Sequence, residues 1–372
     1  MFVPLYDFKR HVGILEEEIV SSIHSVMERQ DFIMGREVKE LEKEIAEYTG
    51  SSFAFGVSSG TDALLLSLMS LGINPGDEVI TTPFSFFSTA SVIARLGARP
   101  VFVDVERESL NLDSSNISAV MNEKTKAVIP VHIYGRMAKL DSLIKLKSDF
   151  DFSIVEDVAQ ALGAKDSMGM AGSVGDIGCF SFYPTKNLGA FGDAGMITTS
   201  NDELAKRITS LRIHGSFDGK IYESVGGNFR LDTIQAAVLL VKLKKIEDWN
   251  KERLKMAKNY NEFIKQLGMQ EFVRTPDFLE DGHVFHQYVL RVGYREELRN
   301  YLQSKNISTG IYYTEPLHLQ PCFEYLGYKI GDFPECELAC SEVLSLPIFP
   351  GLKVEEQSFV VENIEEFYKN KK

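Results

Sequence analysis

Residues 53–71 read FAFGVSSGTDALLLSLMSL, and this stretch decides the fold class. Phe53 to Val57 is a short β-rich run, Ser58-Ser59-Gly60 interrupts it, and Thr61 to Leu71 repeats apolar side chains at helical spacing. Strand, small-residue turn, helix is the repeating unit of an α/β fold. The alternation continues downstream. EVITTP (from Glu78) precedes a helix from about Phe87 to Leu96, and ARPVFVDV (from Ala98), KAVIPVHI (from Lys126) and FSIVEDV (from Phe152) are further β-rich runs. These runs are too apolar for a sheet with one wet face. Helices are therefore expected on both faces of a mostly parallel central sheet.

Upstream, helical patterns cover Leu15 to Met27 and Glu37 to Tyr48. Downstream, DIGCFSFYP (from Asp176) and AGMITTS (from Ala194) read as strands joined by a Gly-rich link, Gly189 to Gly195. A long helix is expected from Leu231 to Arg253, carrying the only tryptophan, Trp249, and bridging to a smaller C-terminal α/β domain. The expected division is 1–249 for the large domain with its N-terminal segment and 250–372 for the small one. FHQYVLRV (from Phe285) reads as a strand of the second unit, and the charged tail Lys369 to Lys372 as frayed.

With 372 residues, 44% of them hydrophobic and 25% charged, the chain can build one large core and a smaller one. A net charge of −13 repels polyanions at long range, which argues against nucleic acid or an anionic membrane as principal partner and leaves small anions open where a local site supplies donors. No basic start followed by an apolar run and a cleavage site is visible, nor any apolar stretch of about 18 residues. The expected location is cytoplasmic. The four cysteines, Cys179, Cys322, Cys336 and Cys340, include no CxxC pair and read as free thiols. His283 and His286, three apart in a strand-like run, do not make a metal set on their own, and no metal is expected.

Three features carry chemistry. Ser59-Gly60-Thr61 opens a helix, where unpaired backbone N–H groups can hold a phosphate; standing alone, Ser before an apolar helix is more often an ordinary N-cap. Asp157 ends the apolar strand FSIVEDV, at the edge where ligands of open α/β sheets collect, and it could pair with a ring nitrogen or simply cap the next helix. Lys186 follows another strand through Ser181-Phe182-Tyr183-Pro184-Thr185; alone it reads as a surface charge. Together the three supply a phosphate cradle, an acid for a pyridine nitrogen and an amine for a Schiff base, which are the needs of pyridoxal 5′-phosphate.

The chain resembles the DegT/DnrJ/StrS family of nucleotide-sugar aminotransferases, pyridoxal-phosphate enzymes of fold type I, over essentially its whole length. The resemblance rests on an ordered set of segments: SSGTDAL (from Ser58), GDEVITTPFSFFSTA (from Gly76), VFVDVE (from Val101), AVIPVHIYGR (from Ala127), VEDVAQALGA (from Val155), FSFYPTKNLGAFGDAGM (from Phe180), GGNFRLDTIQAA (from Gly226), PLHLQP (from Pro316) and LSLPIFP (from Leu344). It implies that Lys186 carries the cofactor and moves the proton, and that Asp157 pairs with the pyridinium nitrogen. By the same resemblance Gln160 lies near the 3′-oxygen, Phe86 stacks on the ring, and Gly60, Thr61 and Ser181 hold the phosphate. Asn228 matches a residue given by a neighbouring subunit, which implies a homodimer with shared active sites.

The implied reaction moves an amino group, from glutamate by family habit, to a nucleotide-linked keto sugar. Relatives with His at the lysine position remove a hydroxyl instead; Lys186 therefore disfavours dehydration. GGNFRLDTIQAAVLL is most similar to members that aminate C3 of UDP-linked 2-acetamido-3-keto sugars, for lipid A or surface polysaccharide synthesis. Arg230 is a candidate contact to the sugar or diphosphate, or a structural ion pair at the subunit interface. Several of those relatives have His-Tyr where this chain has Tyr312-Tyr313, which favours a 3-keto-N-acetylglucosamine over its uronic acid. His318 stands as a sugar contact or a structural histidine. Amination at C4, amination at C3 of a dTDP-linked 6-deoxy sugar, and a non-catalytic cofactor-binding regulator remain as alternatives.

Overall fold

The computed structural model describes residues 1–277 and 282–371. Helices α1 (Phe8–Val12), α2 (Glu16–Arg29) and α3 (Arg36–Thr49) precede the alternating region. There β1 (Phe53–Val57), α4 (Gly60–Leu71), β2 (Glu78–Thr81), α5 (Ser88–Arg95), β3 (Arg99–Phe102), β4 (Thr125–Ile129), α6 (Asp141–Leu146) and β5 (Ser153–Asp157) follow one another. A two-stranded hairpin, β6 (Lys165–Asp166) and β7 (Gly169–Met170), leads to β8 (Ile177–Ser181), β9 (Gly195–Thr199) and α7 (Asp202–Leu211).

The seven-stranded sheet runs β1-β9-β8-β5-β4-β2-β3. The pairings from β8 through β3 are parallel, while β9 is antiparallel to both β8 and β1. Because β1 reverses β9 and β9 reverses β8, strands β1, β5 and β8 all point the same way. Their C-terminal ends, Val57, Asp157 and Ser181, share one edge of the sheet. Apolar clusters fill both faces: Leu64, Leu68 and Ile208 on one side, Leu41, Ile45 and Leu239 on the other. That double coverage is what the uninterrupted apolar strands required.

The expected long helix is two: α8 (Thr233–Leu243) and α9 (Ile246–Gln266), jointed at Lys244 and Lys245. A three-stranded antiparallel sheet follows, with β11 (Tyr288–Val292) between β10 (Val273–Arg274) and β12 (Val343–Leu346). Helices α10 (Arg295–Ser304), α11 (Pro334–Glu342) and α12 (Val354–Lys369) complete the chain. The expected division at 249/250 falls inside α9, and Val3 bridges Ile307, joining the apolar cluster around this second sheet. We propose two units with the joint just before α9. Lys369 closes α12 and pairs with Glu365 at 2.8 Å, so helix extends into the tail expected to fray, whose Lys372 lies outside the described residues.

Candidate active site

The shared edge of β1, β5 and β8 opens into a cavity of about 680 Å³. Gly60, Thr61, Phe86, Asp157, Gln160, Ser181, Lys186, Tyr312 and Tyr313 all lie on its wall. Residues from four separate parts of the sequence are thus brought around Lys186.

One end of the cavity is the start of α4. The Ser59 hydroxyl accepts from the Asp62 N–H at 3.0 Å, leaving the N–H groups of Gly60 and Thr61 without an intrahelical acceptor. Ser181 lies directly against this turn: a Cβ on Gly60 would meet Ser181 Cβ at 2.7 Å. Only glycine lets the strand end and the helix start approach this closely. Two backbone donors and a hydroxyl at a helix N-terminus form an anion cradle of phosphate chemistry.

Asp157, the last residue of β5, is buried. Oδ2 accepts from the Thr89 hydroxyl at 2.8 Å and Oδ1 from the Ala159 N–H at 3.2 Å. Burial raises its pKa; the Thr89 and Ala159 donors, then the Lys186 charge, pull it back down. Lys186 sits in a turn closed by its own N–H to the Tyr183 carbonyl, 2.8 Å, and by Ala190 N–H to the Phe182 carbonyl, 2.8 Å. Its side chain is half-buried and opens into the cavity. Desolvation lowers its ammonium to about 8, against the opposing pull of Asp157, so a neutral amine is accessible near physiological pH.

Gln160 Oε1 accepts from the Tyr134 N–H at 2.6 Å and its Nε2 donates to the Tyr313 hydroxyl at 3.3 Å, which fixes the amide. Burial, and secondarily the Asp157 charge, raise the Tyr313 phenol, so it stays protonated. Phe86 is 57% exposed, its ring 6.4 Å from that of Tyr313, and forms an apolar wall free to cover a planar ring.

Other expected site residues lie elsewhere. His318 is buried against Phe333, with ring centroids 4.7 Å apart, and its Nε2 lies 3.2 Å from Glu337 Oε1. It packs in that cluster and is not on the cavity wall. Asn228 and Arg230 are also outside the wall; Arg230 Nε donates to Asn228 Oδ1 at 2.8 Å beside the edge strand β1.

Sequence reasoning missed four participants. Thr89 read only as a residue of α5, and Ser85, 2.8 Å from its hydroxyl, only as part of a loop. His286 lines the cavity, with Nδ1 3.1 Å from Asn187 Oδ1. Asn187 Nδ2 is committed to Asn250 Oδ1 at 2.8 Å and the Val284 carbonyl at 3.2 Å, so its oxygen accepts the His286 Nδ1–H. Burial, then the charges of Lys186 and Arg253, hold that imidazole neutral. His283 instead stacks on Phe285, centroids 3.7 Å apart, and takes no part with His286 in a metal set. Among the described residues no group of three or more His, Cys, Asp or Glu side chains could hold a metal, the four cysteines are free thiols, and no helix is long and apolar enough to cross a membrane.

Residues 14–365 match the DegT/DnrJ/EryC1/StrS aminotransferase family. Among curated relatives, the chain is 44% identical over 371 residues to a "Pleiotropic regulatory protein" of Geobacillus stearothermophilus, covering 100% of both. It is 38% identical to a UDP-N-acetyl-3-dehydro-alpha-D-glucosamine 3-aminotransferase of Acidithiobacillus ferrooxidans, covering 95% of both. It is 36% identical to a dTDP-3-amino-3,4,6-trideoxy-alpha-D-glucose transaminase of Streptomyces venezuelae, over 98% of this chain and 96% of the relative. Among solved structures, S. venezuelae DesV in complex with a ketimine intermediate superposes with a TM-score of 0.94 at 36% identity, covering 98% of each chain. Bacillus subtilis NtdA with bound pyridoxamine phosphate gives 0.92 at 30% identity, over 99% of this chain and 85% of that one.

Proposed function

The chain belongs to the DegT/DnrJ/EryC1/StrS aminotransferase family, and from that premise we propose that it carries an amino group from glutamate to the C3 ketone of UDP-2-acetamido-3-keto-glucose. That it is a pyridoxal-phosphate-dependent sugar aminotransferase follows from the family and its relatives. The sugar, the donor and the residue roles are our reading. The observation that carries it is one cavity in which Lys186 faces buried Asp157 while Gly60, Thr61 and Ser181 form an anion cradle at one end.

The residues fit the cofactor. Gly60 and Thr61 N–H groups and the Ser181 hydroxyl would hold its phosphate, Asp157 its ring nitrogen, Gln160 the region of its 3′-oxygen, and Phe86 one ring face. The cofactor supplies an electron sink when bound. Lys186 supplies the amine that binds it and, once free, takes and returns the proton; Asp157 keeps the ring nitrogen protonated. Phe86 and Tyr313 exclude water from this exchange.

Relatives acting on UDP-linked and on dTDP-linked sugars match at similar identity, so the choice of sugar rests on other features. GGNFRLDTIQAAVLL supports C3 of a UDP-linked acetamido sugar, and Tyr312 in the cavity offers no cation for a C6 carboxylate. Asn228 and Arg230, exposed or partly exposed beside β1, support a homodimer in which they serve the partner's cavity. The apolar side chains of Phe217, Ile221, Tyr222 and Val225, exposed in the loop before them, suit burial against a second copy.

The name of the Geobacillus relative favours a second reading, a cofactor-binding regulator. A depressed Lys186 amine beside a buried carboxylate serves turnover, which a regulator does not need. Incubating the enzyme and glutamate with a panel of nucleotide keto sugars separates these readings. Turnover of only a 4-keto or dTDP-linked compound sinks the sugar assignment, and no turnover of any, with cofactor bound, supports the regulator. Borohydride reduction and peptide mapping check Lys186: the cofactor must be found fixed to that residue.

A further inference from the structure

Lys242 is fully buried in α8, and among the described residues no carboxylate pairs with it. Its ammonium donates to the Gly189 carbonyl and lies over the rings of Phe8 and Phe191, 5.2 and 5.5 Å from their centroids. A buried ammonium without a counter-ion is a heavy desolvation cost, and burial lowers its pKa to about 8. Hydrogen bonding and two aromatic faces offset only part of that. An apolar side chain of the same length would fill the space without it.

What the ammonium holds is the end of the turn that bears Lys186. A Cβ on Gly189 would meet the Pro184 carbonyl oxygen at 2.3 Å, so the two ends of the turn touch. Two residues beyond, the Phe191 N–H donates to Gln235 Oε1 at 2.8 Å, and Gln235 also belongs to α8. One helix thus grips the turn at two points within five residues of Lys186. Phe8 covers the ammonium from α1, which is fastened by Arg10 to Glu356 at 2.7 Å and by His11 against Trp249, centroids 4.2 Å apart.

We propose that Lys242 is a positioning residue of the active site: by holding the Gly189 carbonyl it fixes the turn that presents Lys186 to Asp157, and the Phe8 ring keeps water from that bond. The inference rests on the reading of Lys186 as the cofactor-bearing lysine. Borohydride mapping of the wild-type holoenzyme tests that reading separately: a label away from Lys186 removes the premise, whereas a label on Lys186 with unaffected Lys242 variants overturns the role of Lys242 alone.

The test is Lys242→Met and Lys242→Arg in the holoenzyme. Methionine keeps the length and removes the donor. The kcat should fall roughly tenfold or more, with both KM values held within about twofold, because misplacing a reacting group costs rate and not ground-state binding. The visible absorption of the bound cofactor should shift in the methionine variant and return toward wild type in the arginine variant, which still donates to a carbonyl. The thermal midpoint should stay level or rise, as when a buried charge gives way to an apolar group. An unchanged kcat, or a change confined to KM, overturns the proposal whatever the midpoint does. Should Lys242→Met fail to fold, Phe8→Ala admits water to the same bond: a lower kcat with shifted absorption supports the proposal, and wild-type values of both overturn it.

Discussion

The Thr89 hydroxyl donates to Asp157 Oδ2 across 2.8 Å, and since its hydrogen is spent there, Ser85, 2.8 Å away, must donate to Thr89 in turn. The Thr89 donor is among the forces that counter the burial of Asp157. Removing the donor in Thr89→Val lets burial raise the carboxyl further. A hydrogen bond to a charged group is worth about 1.5–3 kcal/mol, so kcat should drop by roughly ten- to a hundredfold. Pairing with a protonated ring nitrogen needs the ionised carboxylate, so activity is lost as pH falls through the folded pKa. The acid limb of the kcat/KM profile should therefore move to higher pH in Thr89→Val. An unmoved acid limb would separate Asp157 from the limb altogether.

The Lys186 amine, lowered from 10.5 to about 8, gives a second pH signature. Only the neutral amine attacks the cofactor's aldehyde, so capture of pyridoxal phosphate by the apoprotein should quicken up to about pH 8 and level off above it. Between pH 8 and 10.5 the folded apoprotein binds fewer protons at this site than the unfolded chain does. Stability therefore rises with pH across that window, and the penalty is complete below it. Lys186→Met should abolish the capture, as followed by absorbance, and flatten the part of the stability rise that belongs to this residue. Wild-type capture that peaked below pH 7 would contradict the depressed amine.

What was legible in the sequence was whatever has a period or a local turn. Strands β1, β2, β4, β5, β8 and β9 and helices α2 to α5 stand close to where apolar spacing places them, and the C-terminal strand ends carry Asp157 and Ser181 as expected. The joint between α8 and α9 was invisible because Lys244 and Lys245 are good helix formers between two apolar periodic runs; only tertiary packing bends the chain there. Thr89, His286 and Lys242 escaped for a related reason. Each acts through a partner 53 to 99 residues away in sequence, Asp157, Asn187 and Gly189, and no local pattern reports such a pair. The contacts of His318 with Phe333 and Glu337 were not legible either, since the segment PLHLQP does not report what packs against it.

Glu156, next to Asp157, points to the opposite side of β5 and is fully buried. Its oxygens accept from the N–H groups of Gly172, Val174 and Gly175 at 2.9, 2.9 and 2.7 Å, and His132 Nε2 lies 2.9 Å from Oε2. Because His132 Nδ1 already accepts from the Ala138 N–H at 2.9 Å, Nε2 must be the donor. Four donors thus converge on one carboxylate. Glu156→Gln turns an NH₂ toward two of them, and no imidazole tautomer relieves both contacts. The cost should be about 2–4 kcal/mol, read as a lower denaturant midpoint with unchanged slope. A midpoint equal to wild type would show that the carboxylate is not needed there.

Tyr312 bears on which sugar is accepted. It lines the cavity, half-buried, and its backbone carbonyl accepts from the Tyr134 hydroxyl, so its position is set by main chain and a substitution at the side chain need not disturb the wall. A phenol there presents no positive charge to a C6 carboxylate, while a histidine would below its pKa near 6.5. In Tyr312→His the kcat/KM ratio of the 3-keto uronic acid to the 3-keto-N-acetylglucosamine should rise by roughly tenfold at pH 6, as a new charge-assisted contact allows. The gain should shrink by pH 8, where the imidazole is neutral. A ratio that rose equally at both pH values would point to shape and not charge, and a ratio that did not rise at all would remove the argument from Tyr312 for a neutral sugar.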